Sequence, residues 1–167
     1  MQDKETTNNF QFTDVFKVPT KGRLLAIDPG TKKVGIAVSD ELQLTVRRVS
    51  VITRRSWKKF LYQIKNYLAE FDAQGLIIGL PYNFDGSESE MSSEARRLAR
   101  NFSLSLEIPV ILQDERVSTH QARGNLWELG FSESEVISLV DAEAAAIILG
   151  DFIELRNRLL KKNDPNG

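Results

Sequence analysis

RLLAIDPGTKKVGIAVSD, residues 23–40, is the stretch on which the fold turns. Residues 24–28 are an apolar run closed by Asp28, which reads as a buried strand. Beyond the turn, residues 33–39 alternate large Val34, Ile36 and Val38 with small Gly35, Ala37 and Ser39, which is strand periodicity with one nearly bare face. A third strand is expected over 44–52. Leu44 and Val46 fall on one parity and Val49 and Val51 on the other, so a bulge near Arg47-Arg48 is expected. Three strands joined by short turns form an antiparallel meander.

Downstream the period changes. Ser56 is a candidate N-cap for a helix in which Trp57, Phe60, Leu61, Ile64 and Leu68 recur at helical spacing, ending near Gly75. Leu76 to Leu80 is a short buried strand ended by Pro81. Ser87 and Glu90 have capping-box spacing for a helix reaching about Leu106, and Pro109 to Leu112 reads as a fifth strand. Ser118 and Gln121 repeat that spacing before a short helix ending at Gly130, as do Ser132 and Glu135 before a last helix to about Leu160. Strands linked through helices pair in parallel by right-handed crossovers. The order βββαβαβαα thus predicts one α/β domain, a mixed five-stranded sheet with helices on both faces. Its expected extent is 23–160, between a loosely ordered leader over 1–22 and a tail over 161–167.

Composition narrows the chemistry. The chain has no cysteine and one histidine, His120, so thiolate catalysis, disulfides and multi-histidine metal cages are excluded. A metal here would be held by oxygen, which favours magnesium, manganese or calcium. The first 20 residues have no apolar h-region, and no run of about 18 apolar residues suggests a membrane span. A cytoplasmic protein is expected. Residues 21–65 carry eleven Lys/Arg against three acids, whereas 66–167 carry an excess of acids just as large. A single basic pair reads as a solvated helix face. Eleven cations in 45 residues read instead as a surface for a polyanion such as nucleic acid. The candidates are Lys32, Lys33, Arg47, Arg48, Arg54, Arg55, Lys58 and Lys59.

Three carboxylates stand where burial makes a charge costly. Asp28 ends the first strand, Asp114-Glu115 follow Val110-Ile111-Leu112, and Asp141 interrupts the apolar stripe of the last helix, between Ile137 and Ala144, Ala145 and Ile148. In a sheet whose first, fourth and fifth strands are parallel, Asp28, the loop 81–86 and Asp114-Glu115 leave from one edge, where open α/β sheets bind ligands. Clustered carboxylates repel, and a divalent cation is their natural counter-ion. A two-ion arrangement would use Asp28 as the shared bridge, with Glu115 and Asp141 each on one ion and Asp114 as a possible substitute for Glu115. Arg116 is placed either to pair with a phosphate or to form a salt bridge with its acidic neighbours. His120 reads as a helix-surface or capping residue.

Four blocks carry a resemblance to a known family: RLLAIDPGTKKVGIAVSD (23–40), IIGLPYNFDG (77–86), PVILQDERVSTHQA (109–122) and VDAEAAAIILGDFI (140–153). Together they resemble the signature blocks of the YqgF family, whose members go by the names pre-16S rRNA nuclease and Holliday junction resolvase-like protein. The resemblance spans about 23–155. It implies a ribonuclease H-like fold and a Mg²⁺- or Mn²⁺-dependent phosphodiesterase, with Asp28, the acidic pair of Asp114-Glu115-Arg116, and Asp141 as its acidic residues. The implied substrate is precursor 16S ribosomal RNA, or branched DNA for a junction resolvase, acted on by a monomer or homodimer. Asp28-Pro29-Gly30-Thr31 followed by Gly35 also resembles the first phosphate loop of the actin, Hsp70 and sugar-kinase superfamily. That fold needs two lobes, and no second such block is present. A non-catalytic nucleic-acid-binding module is the third reading.

Overall fold

The computed structural model describes residues 12–81, 87–115 and 119–166. Five strands run β1 (Leu25–Pro29), β2 (Lys33–Ser39), β3 (Val46–Thr53), β4 (Leu76–Pro81) and β5 (Val110–Glu115). Four helices run α1 (Trp57–Glu70), α2 (Glu90–Ser105), α3 (Thr119–Glu128) and α4 (Glu133–Lys162). The sheet order is β3-β2-β1-β4-β5. β1, β2 and β3 pair antiparallel, and β4 pairs parallel with both β1 and β5. This is the mixed five-stranded sheet that the alternation of periods predicts, with α1 and α2 on one face and α4 on the other. No helix among the described residues is long and apolar enough to cross a membrane.

Local chemistry explains where the boundaries move. The third strand starts at Val46, two residues later than expected, because the Asp40 carboxylate captures the amides of Leu44 (2.8 Å) and Thr45 (2.7 Å). Asp40 thereby holds that segment in a turn with Leu44 largely exposed. The bulge is real and falls at Val49, since Ile36 faces Ser50 while Ala37 faces Arg48. The N-cap of α2 is Ser89, not Ser87: Ser89 Oγ accepts from the Ser92 amide, and Ser92 Oγ accepts from the Ser89 amide. The box Ser132/Glu135 at the start of α4 forms as expected. Part of the segment expected to be a loose leader packs on the domain. Phe12, Val15 and Val18 are buried, and the Phe12 carbonyl accepts the Leu112 amide at 2.8 Å on the open side of β5. Apolar residues three apart let this segment close against the domain. Residues 1–11, the loop 82–86 and the Ser118 cap lie outside the described residues.

Two cores flank the sheet. Val34, Ile36, Val38, Leu25, Ile27, Ile78 and Leu112 pack beneath α1 and α2 with Phe60, Ile64, Leu98 and Phe102. Ala26, Ile77 and Ile111 point the other way, against Ile148, Leu149, Phe152 and Ile153 of α4. The bare face of β2 receives the alanine-rich part of α4, with Ala37 against Ala145 and Ala146. At Gly35 the approach is closer still, because a Cβ there would overlap the backbone carbonyl of Asp141. Gly35→Ala is therefore expected to cost about 3 kcal/mol or more, measured as a lower urea midpoint. A midpoint unchanged from wild type would mean that α4 can slide off β2 at no cost. The stripe of α4 is offset from the sequence expectation at one end: Ile137 is exposed, and Val136, Val140 and Ala144 pack against Ala122 and Leu126 of α3 instead.

Candidate active site

The side-chain alternation of each strand sorts the acids. Asp28 is two residues beyond Ala26, and Glu115 four beyond Ile111, so both lie on the face covered by α4. Asp114 has the parity of Leu112, which packs in the core under α1 and α2. It is exposed there, on the face opposite the one that carries Glu115. Asp28 is in register with Gly35, the residue on which the Asp141 backbone rests. Shaving β2 to glycine at this point brings Asp141 beside Asp28. On the other flank, the Glu115 side chain lies over Gly79, where a built Cβ would stand 2.7 Å from its Oε2 and 2.6 Å from Ile148 Cδ1.

Sequence reasoning does not single out Gly79. The available signal is a lone glycine inside the buried strand Leu76–Pro81, which marks a close approach. Gly79→Ala is expected to displace Glu115 and lower activity while leaving the fold cooperative. Unchanged turnover in that variant would show that Glu115 does not need its present seat.

The electrostatics follow from this packing. Burial, then the neighbouring Asp141 charge, raises the Asp28 carboxyl to about 7. Glu115 is 7% exposed, and burial, followed by Asp28, Asp151 and Asp114, raises it to about 9. Asp28 thus feels the Asp141 charge and in turn raises Glu115. Among the described residues no Lys or Arg pairs with Asp28, Glu115 or Asp141. Asp28, Glu115 and Asp141 offer oxygen donors, which suit hard divalent cations. Among the described residues no group of three acids converges on a single point. The arrangement is a row, Asp141, Asp28 and Glu115, with Asp28 in the middle.

The basic candidates divide into three sets. Lys32, Lys33, Arg55, Lys58 and Lys59 are exposed at the edge that carries Asp28. Arg47 and Arg48 begin β3 at the opposite end of the sheet. Arg47 lies over the Phe71 ring, and Arg48 pairs with Glu143 at 2.8 Å and lies over Phe131. Arg54 is turned inward: its Nη2 donates to Glu94 at 2.6 Å, its Nη1 to the Gly30 carbonyl at 3.2 Å, and its amide to the Lys32 carbonyl. It braces the turn that follows Asp28. Arg54→Glu is expected to destabilise the fold by about 2 kcal/mol, against at most about 0.5 kcal/mol for Lys58→Glu. Equal chemical-denaturation midpoints for the two variants would refute that division. Arg116 and the side chain of His120 lie outside the described residues.

The sequence model of the RuvX family, described as Holliday junction resolvase, matches residues 22–155. A protein of Anaeromyxobacter sp. (strain Fw109-5) named "Putative pre-16S rRNA nuclease" is 38% identical over 135 residues, covering 81% of this chain and 98% of its own length. One of the same name from Novosphingobium aromaticivorans is 38% identical over 133 residues, covering 80% of this chain and 85% of its own. The fowlpox virus resolvase in complex with Holliday junction DNA superposes with a TM-score of 0.50 at 15% identity, covering 83% of this chain and 99% of that one. This likeness shows the shared ribonuclease H-like fold. The four sequence blocks, the strand order and the profile match agree: the chain belongs to the RuvX family, the YqgF group that its sequence resembles.

Proposed function

We propose that this protein is a divalent-metal-dependent nuclease acting on structured RNA, with maturation of the 5′ end of precursor 16S ribosomal RNA as its reaction in the cytoplasm. The observation that carries the reading is the row Asp141, Asp28, Glu115 on one face of the sheet edge, without a cationic partner among the described residues. The names of the relatives point to the substrate.

The residues fit Mg²⁺ or Mn²⁺. The half-buried Asp28 and the buried Glu115, both held above their ordinary range, are costly as anions, and a cation offsets that cost. Asp28, Glu115 and Asp141 would hold two such ions between them, with Asp28 as the central ligand. Bound ions would supply an activated water and charge neutralisation at the leaving 3′ oxygen of an in-line displacement. The chain itself does the positioning. Asp28 is fixed at a strand end, Glu115 is seated over Gly79 beneath Ile148, and Asp141 is set by the contact of α4 with Gly35. Lys32, Lys33, Arg55, Lys58 and Lys59 stand at the same edge to hold flanking phosphates, which position a strand without specifying its sequence.

The deciding experiment is a cleavage panel of structured RNA, single strands and four-way junction DNA with Mg²⁺ or Mn²⁺. Preferential cutting of structured RNA is expected. The family description favours one other substrate, junction DNA. Paired symmetric nicks in the junction would replace the RNA reading with a resolvase, which needs two sites and hence a homodimer. No cleavage of any substrate would leave a nucleic-acid-binding module.

A further inference from the structure

Helix α1 buries Phe60, Ile64 and Leu68 against the sheet. Its opposite face carries Lys58, Lys59, Tyr62, Lys65 and Asn66, all exposed. Tyr62 is 68% exposed, and its neighbours at helical spacing are Lys58 and Lys59 one turn before, Lys65 and Asn66 one turn after. No carboxylate occurs in the helix before its last residue, Glu70. Among the described residues, none of Arg55, Lys58, Lys59 and Lys65 forms an ion pair.

This charge order runs against the helix. Lysines sit in the first turn, which has no acid, and the last turn has no base, although the dipole favours the reverse. Mixed charges would serve solubility better. A polyanion laid along the face explains the pattern through charge complementarity. The face begins at the edge that carries Asp28, because β3 ends there and leads into Arg54-Arg55. From Arg55 to Lys65 it extends about 15 Å along the helix.

A phenol ring among lysines adds a recognition element that phosphates do not use. Bases in a duplex are stacked on one another, whereas an unpaired base can lie on an aromatic face while its phosphates meet cations. We infer that the outer face of α1 docks an unpaired segment of the RNA substrate, with a base stacked on Tyr62 and phosphates on Lys58, Lys59 and Lys65. The inference rests on the nuclease reading above and names the part of the substrate that this surface takes.

The test is anisotropy titration of the full chain, in EDTA to prevent cutting, with an A-rich single-stranded RNA of about twelve nucleotides and with a blunt RNA hairpin closed by a compact tetraloop whose bases are stacked on one another. Tyr62→Ala is expected to weaken single-strand binding about tenfold, with hairpin affinity and salt slope unchanged. Tyr62→Phe should bind as wild type does. Lys65→Glu should weaken binding and flatten the salt dependence, because a phosphate contact is lost. A loss within about twofold for Tyr62→Ala, or an equal loss on the hairpin, overturns the inference. If that happens while the wild type still cuts structured RNA under Mg²⁺, the nuclease reading stands and only the role of α1 falls. If the wild type neither cuts nor binds RNA, both fall.

Discussion

Asp28→Asn is expected to abolish cleavage, by about three orders of magnitude or more, and at the same time to raise the melting temperature of the metal-free protein. The two effects share one cause. Asp28 stands between Asp141 and Glu115, so as an anion it is repelled by the Asp141 charge while burial removes the water that would screen it. Asparagine keeps the shape and removes the charge. Without the Asp28 carboxylate, the cations that Glu115 and Asp141 would each hold lose their common ligand, and residues that act as one catalytic unit fail together. Glu115→Gln should behave alike. The checks are single-turnover cleavage under Mg²⁺ and a melting curve in EDTA. Near-wild-type turnover in Asp28→Asn would remove the row from the mechanism, and a lower melting temperature in EDTA would show that its charge is not a source of strain.

The sheet and its order were legible because the hydrophobic period switches cleanly between two and 3.6. The bare face of β2 was also visible, in Gly35, Ala37 and Ser39. Its consequence was hidden, since only the docked helix shows that this face exists to bring Asp141 beside Asp28. The choice between Asp114 and Glu115 could not be made from sequence, because adjacent residues on a strand point to opposite faces and the strand's register decides which one faces α4. Gly79 went unnoticed for a related reason: a seat for a neighbouring strand's side chain leaves no trace except a missing one. Arg54 misled because its partner Glu94 is forty residues away on another helix. Charge counting treats a brace and a phosphate ligand alike.

The same row of acids predicts an unusual response of stability to pH. Glu115 and Asp28, raised to about 9 and about 7 from ordinary values of 4.5 and 3.8, stay protonated in the folded state where the unfolded chain has already ionised. The folded state then binds more protons than the unfolded one, so stability falls as pH rises from about 4 through about 9. The decline should appear as a progressive loss of melting temperature across that window. Groups of the opposite sign act at the acid end. Glu94 is lowered to about 2 by Arg97 and, secondarily, by Arg54, so its contribution is present above about 4.5 and is lost as pH falls towards 2. The metal-free protein should therefore be most stable near pH 5. Mg²⁺ binds only the ionised carboxylates, so the melting-temperature gain from a fixed Mg²⁺ concentration should be small at pH 5 and grow steadily to pH 9. In Asp28→Asn and Glu115→Gln both the alkaline decline and the Mg²⁺-dependent gain should shrink. A Mg²⁺ gain that is independent of pH, or an alkaline decline that persists in the double variant, would place the stabilising cation away from Asp28 and Glu115.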